Sequence, residues 1–210
     1  GFDYTLADIG QVIRQTMDAC FPPVAPLGTD RVVDADGFVT QRDNWTSWTV
    51  SRPFHDVAGA REYLLRKTEE MHKARFDAQE ERERFRAYML GLQRLVGETV
   101  IIDYSLGVGL CPCWSKLGLE LFCYLYAEDP QVVTDYIETF TANDIRRLHA
   151  IADPSLSPVV LIAEDFATKQ GPIFSPGFLR REHFPRVERL TRAWHQYGIK
   201  VLYHSDGNWR

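Results

Sequence analysis

Residues 157–207 carry the pattern that most restricts how this chain can fold. SPVVLIAEDFA (157–167) is a short apolar run, rich in β-branched residues, that ends in Glu164 and Asp165. Such a run reads as a strand buried on both faces. SPGFLRREHFPRVERLTRAWHQYG (175–198) follows, opened by Ser175-Pro176 and closed by Gly198, and these end signals predict a helix. IKVLYHSDG then supplies a second apolar strand that gives way to His204, Ser205, Asp206 and Gly207. Strand, helix and strand with apolar strand bodies call for parallel pairing under helical cover, hence an α/β protein.

The rest of the chain supports this reading unevenly. TVIIDYSLGVG (99–109) predicts a buried strand running into a loop, and two helices follow, the second opened by Asp129 as N-cap and Pro130 at its first position. Residues 56–96 form a charged helical region in which EERER is a solvated face, while Phe85, Met89, Leu92 and Val96 form a core-packing stripe. Residues 31–52 turn to β-branched and aromatic types around Asp36-Gly37, the mark of a hairpin. Residues 3–20 place Leu6, Ile9, Val12, Ile13 and Met17 at helical spacing, and FPPVAPLGTD interrupts them as a loop.

With 210 residues, 45% of them hydrophobic, the chain can bury the core of a single domain. A net charge of −5 with interspersed signs lacks the clustered basic footprint of a nucleic-acid binder. The sequence has neither a bilayer-length apolar stretch nor a signal peptide, so no membrane association and a cytoplasmic location are expected. In that compartment Cys20, Cys111, Cys113 and Cys123 are reduced thiols, and the Asn44-Trp45-Thr46 sequon carries no meaning.

Neither GxGxxG after the first strand nor GxxxxGK[ST] occurs, which turns the α/β reading from a doubly wound sheet towards a (β/α)8 TIM barrel. In such a barrel chemistry sits where strands end. Three expected strands end in polar residues: Asp103 with Tyr104, Glu164 with Asp165, and His204 with Asp206.

A family resemblance emerges from the same residues. AEDFATKQGPIFSPGFLRREHFPRVERL followed by YGIKVLYHSDGN resembles the uroporphyrinogen decarboxylase superfamily, which includes corrinoid-dependent methyltransferases. The resemblance lies in the strand-end acid, Gly171, Ser175-Pro176, the internal Pro185 and the His-Ser-x-Gly strand end. GLCPCWSKLGLELFCYLYAEDPQVV is similar to an earlier segment of that family, so the match covers roughly residues 99–208. It implies an eightfold barrel with its active site at the strand C-termini. A complete barrel takes about 250 residues, so the chain is read as an incomplete one, a fragment lacking N- and C-terminal parts.

His204 and Asp206 are two apart and so share a strand face, as a metal-binding or acid–base pair or as a histidine bonded to a neighbouring loop. Glu164 and Asp165 are adjacent and point to opposite sides, so one of them enters the site, there to bind a substrate nitrogen or act as a general acid. His204, Asp206, Asp165 and Glu164 are the catalytic candidates. Asp103, Tyr104, Lys169 and Ser175 are the substrate-binding candidates, Ser175 equally serving as a plain helix cap. Family members that activate thiols hold zinc with His-x-Cys on this strand and a later Cys. Here position 206 is Asp, and the metal set read from the sequence is His204, Asp206, Cys111 and Cys113.

The resemblance implies methyl transfer between a small methylated substrate and a partner corrinoid protein, with zinc as a candidate cofactor and a homodimer as a candidate assembly. Decarboxylation of a tetrapyrrole, with no cofactor, is the alternative. The Arg-x-x-Gly-Arg stretch expected of that activity does not occur. A third alternative is a non-catalytic barrel that only binds a ligand.

Overall fold

Among the described residues two separate β systems form, one antiparallel and one parallel. The computed structural model describes residues 25–26, 31–42, 47–104 and 106–208, and the chain divides into two compact units, residues 1–56 and 57–210. The helix expected over 3–20, with Cys20, lies outside the described residues.

In the first unit β1 (Ala25–Pro26), β2 (Arg31–Val33), β3 (Val39–Arg42) and β4 (Ser47–Ser51) pair antiparallel in chain order. One carboxylate shapes the turn at Asp36-Gly37: Asp34 accepts the N–H groups of Asp36 at 3.0 Å and Phe38 at 2.9 Å, as aspartates do in tight turns. Phe38, the next residue inward, is fully buried and meets Phe54 edge-on with ring centres 5.8 Å apart.

The second unit begins with α1 (Val57–Lys73) and α2 (Ala78–Val96). The charged region read as 56–96 is therefore two helices, separated where Asp77 caps α2 by accepting the N–H groups of Gln79 and Glu80. α3 (Leu110–Leu117), α4 (Leu119–Glu128) and α5 (Pro130–Ile151) follow in succession. Asp129 makes no side-chain cap for α5; its carboxylate pairs with Arg61 at 2.9 Å instead. Gly109 opens α3 with a φ of +82°, and a Cβ there would lie 2.8 Å from Phe140, so only glycine lets this turn approach α5. α5 is the central helix, packed by α1, α2, α4 and α7.

β5 (Val159–Ala163) and β6 (Lys200–His204) pair in parallel, in register from Val159↔Lys200 to Ala163↔His204. Between them run α6 (Pro176–Glu182) and α7 (Phe184–His195). The single helix expected over 175–198 breaks at His183, two residues before Pro185, which offers no N–H to the preceding turn. By register, Val160, Ile162, Val201 and Tyr203 share the sheet face that meets the helices. Val160 and Ile162 there join Phe85, Met89, Leu148, Ile151, Leu190 and Trp194 in the core. The opposite face carries Leu161, Leu202 and His204.

The (β/α)8 barrel expected from the sequence is not the fold. Strand–helix–strand alternation occurs once, between β5 and β6, whereas α1 to α5 succeed one another with no strand between them among the described residues. The segment expected to be a buried strand at 99–104 contributes a single parallel bridge, Asp103↔Val160. There Leu161 N–H donates to the Asp103 carbonyl at 2.8 Å and the Asp103 N–H to the Ser157 hydroxyl at 3.1 Å, while Val100 and Ile102 stay exposed.

A buried ionic network ties α6 and α7 to the helices beneath. Glu182 accepts from Tyr126 Oη at 2.8 Å and from Thr134 Oγ1 and Arg186 Nη1, both at 3.3 Å, while Arg186 Nε also meets Glu138 at 3.1 Å. Removing one partner leaves the other charge buried without compensation. Arg186→Ala is expected to lower unfolding stability by about 3 kcal/mol in urea titrations, whereas Arg192→Ala, which breaks only an exposed pair with Glu188, leaves the midpoint unchanged.

Candidate functional site

The register of β5 and β6 brings two short loops side by side. Beyond Ala163↔His204 the chain segments stay joined: Glu164 N–H donates to the His204 carbonyl at 3.0 Å, Phe166 N–H to Ser205 Oγ at 3.3 Å, and Asn208 N–H to the Thr168 carbonyl at 2.8 Å. Asp206 N–H donates to Asp165 Oδ1 at 3.0 Å, so one acidic residue orients the other. Gly207 makes this approach achievable. Its φ is +95°, and a Cβ would lie 2.5 Å from the Ala167 carbonyl carbon and oxygen, closer than any other residue could tolerate.

Asp165, His204 and Asp206 consequently converge. His204 Nε2 lies 3.3 Å from Asp206 Oδ1 and 4.0 Å from Asp165 Oδ1, and each residue offers one ligand atom within 4.8 Å of the others. All three side chains are at least half exposed, at 51% for His204, 57% for Asp165 and 79% for Asp206. One imidazole nitrogen and two carboxylate oxygens with an open solvent side match the three-ligand pattern of catalytic zinc sites. Metal–ligand bonds of about 2.0–2.2 Å place tetrahedral donors about 3.3 Å apart, so the 3.3 Å pair already fits, while the 4.0 Å pair and the two carboxylates, which lie within 4.8 Å of each other, reach that spacing by turns of exposed side chains. These residues fit a divalent ion.

Glu164 turns the other way, as alternation along a strand requires. It is 2% exposed and accepts the N–H groups of Val108 at 3.1 Å and Cys111 at 2.8 Å, at the start of α3. Burial pushes its carboxyl up to about 7 against the pull of those two N–H groups, with Asp144 and Asp165 adding to the rise. Asp144 of α5 takes the Gly107 N–H at 2.8 Å, and burial pushes it up to about 7 as well, against Gly107 and Arg147. Two largely enclosed carboxyl groups thus grip the loop before α3, and Thr141 Oγ1 holds the same loop by donating to the Val108 carbonyl at 2.9 Å. Sequence reasoning missed Asp144. Its signal was an acid on the buried stripe Ile137, Thr141, Asp144, Leu148, spaced i, i+4, i+7, i+11.

The remaining candidates separate. Cys111 sits beside the trio but outside it; its thiol accepts the Asp165 N–H, and burial, followed by Glu164, pushes it up, so it is a protonated thiol rather than an activated one. Cys113 is fully buried and pushed up further by that burial alone, as a small apolar residue. Among the described residues, then, Asp165 stands where the sequence placed two cysteines. Asp103 is buried on the helix-facing side of the sheet. Tyr104 is exposed, and its phenol is pushed up by burial and by Cys111, Glu164 and Asp165, which marks it as their neighbour. Lys169 is exposed in a turn closed by the Thr168 N–H on the Gly171 carbonyl at 2.8 Å. Ser175 is a plain N-cap, its hydroxyl accepting the Phe178 N–H at 3.2 Å. Tyr203 and His183, absent from the sequence-derived set, are bonded to each other next to His204 at 2.8 Å.

Groups whose folded pKa is raised add stability below the ordinary carboxylate range and lose it as pH rises through about 7. Unfolding free energy is expected to fall between pH 4 and 8, by at most about 1.4 kcal/mol per pH unit for each group. Asp144→Asn, which keeps an acceptor for Gly107, should flatten this slope in denaturant titrations across the same range. Gly207→Ala should cost about 2 kcal/mol through its backbone conformation and shift the NMR resonances of His204, while Gly91→Ala, whose added Cβ would meet only the far end of Arg94 at 3.8 Å, leaves them in place. No protein-family model, no curated protein and no solved structure matches the chain, so the geometry of these residues carries the functional reading.

Proposed function

We propose that the protein is an enzyme that transfers a methyl group from a small methylated substrate to a corrinoid carried by a partner protein, at the site formed by Asp165, His204 and Asp206. The observation behind this reading is the convergence of an imidazole and two carboxylates at the ends of two parallel strands. The resemblance of residues 99–208 to the uroporphyrinogen decarboxylase superfamily points the same way.

Loss of a methyl group leaves an electron pair on the atom that carried it, and that atom needs a proton or a cation. His204 can offer a proton at Nε2, with Asp206 Oδ1 at 3.3 Å orienting the ring. Alternatively, with Nε2 deprotonated, a divalent ion held by Asp165, His204 and Asp206 would take the place of that proton and supply Lewis acidity. The exposure of the trio suits a cofactor presented by a second protein.

Charge favours methyl transfer over decarboxylation. A uroporphyrinogen is a polyacid, and among the described residues neither Asp165 nor Asp206 is paired with a lysine or arginine. Such a site repels an anionic substrate.

Purified protein incubated with cob(I)alamin and a panel of methyl ethers, thioethers and amines is expected to form methylcobalamin, read by its absorbance. His204→Ala should lower that rate about 10²-fold. Zinc content measured by elemental analysis should fall in Asp165→Ala and in Asp206→Ala. Carbon dioxide release from uroporphyrinogen, with no donor in the panel reacting, would sink the reading.

A further inference from the structure

Among the described residues β6 is paired on one side alone, by β5. Lys200 N–H donates to the Pro158 carbonyl and the His204 carbonyl accepts from Glu164 N–H, both at 3.0 Å. Residues 200, 202 and 204 thus turn their backbone groups towards β5, and in a parallel ladder the residues between them turn theirs away. The N–H and carbonyl groups of Val201 and Tyr203 therefore line the open edge. That edge is accessible, with Leu202 48% and Tyr203 42% exposed and Lys200 exposed beside them. An apolar edge strand with neither proline nor bulge is a template for another strand.

Side-chain order decides which strand fits. Lys200, Leu202 and His204 share the face away from the helices. Charge on this face runs from the Lys200 ammonium at the start of β6 to the carboxylates of Asp206 and Asp165 beside His204 at its end. Lys200 enters no ion pair among the described residues. A strand of the same order running the opposite way sets each ammonium against the other's carboxylates, and a second copy of β6 is such a strand. With Leu202 opposite the partner's Leu202, Val201 faces the partner's Tyr203, and every outward N–H and carbonyl of these residues finds its counterpart. Lys200 then faces the partner's His204 in one of the closer, non-hydrogen-bonded pairs, where a long side chain also reaches the diagonal neighbour.

We propose that two copies of this chain pair antiparallel through β6, about a twofold axis at Leu202, and that Lys200 of each copy completes the Asp165–His204–Asp206 site of the other. One ammonium against two carboxylates leaves the site net negative, so an anionic substrate stays disfavoured. The pairing is independent of methyl transfer, because mass and cross-linking report it without turnover.

Sedimentation equilibrium of the full chain is expected to show a monomer–dimer equilibrium below about 100 μM. Leu202→Asp, which sets like charges opposite each other, should abolish the dimer while leaving the circular dichroism spectrum unchanged. Lys200→Glu and Asp206→Lys should each raise the dimer dissociation constant about tenfold, and the double variant, which exchanges the two charges, should restore it. Oxidation reads the register: Leu202→Cys should give a disulfide-linked dimer above the wild-type background, whereas Lys200→Cys, about 13 Å from its twin, should not. A monomer throughout overturns the proposal, as does a dimer that Leu202→Asp leaves intact or a double variant no tighter than the single ones. If Leu202→Asp fails to fold, cross-linking decides, and equal yields from Leu202→Cys and Lys200→Cys overturn it.

Discussion

The parallel pairing of β5 with β6 is the constraint on which the rest depends. Ala163 lies opposite His204, and the segments that follow the two strands stay hydrogen-bonded to each other. A slip of one residue in this register would send His204 to the helix-facing side and Tyr203 to the solvent side. The core opposes such a slip, because Val160 and Ile162 are packed beneath α5 and α7 among buried aliphatic and aromatic side chains. Site geometry is therefore a by-product of core packing about 10 Å away, a distance that three strand residues span.

Polar interactions then decide which groups face water. Asp165 and Glu164 are chemically alike and adjacent in sequence, yet one is more than half exposed and the other nearly sealed. Strand alternation separates them, and the loop before α3 provides the buried one with two N–H donors. The sealed carboxyl is costly to ionise, while the exposed one stands in water beside His204, which divides a structural role from a chemical one.

Much of the unit from 157 to 207 was legible in the sequence, because apolar runs, a Ser-Pro helix start and strand-end polar residues are all local signals. His204 with Asp206 could be paired from spacing alone. What could not be read was topology. The barrel inference extrapolated one strand–helix–strand unit to the whole chain, and it failed on particular elements: the Asp103 N–H is taken by a serine hydroxyl, and five helices run together without strands among the described residues. In the metal set His204 and Asp206 lie together, but the two cysteines lie outside their group for a related reason. Cys113 sits on the inward face of an eight-residue helix whose orientation depends on Gly109 meeting Phe140, a contact between residues 31 positions apart that no local pattern reports. His183 was hidden inside a segment that read as one helix, and only the break before Pro185 gives it a distinct position.

The close contact of Gly207 with Ala167 reaches further than the local backbone. It holds the two loop backbones side by side, so Asp165 and Asp206 are brought together by the chain itself. A bound cation would find the site preorganised and would lose little chain entropy on arrival. Discrimination among cations would then fall on how far these exposed side chains must turn to meet each one, rather than on how far the loops can adapt.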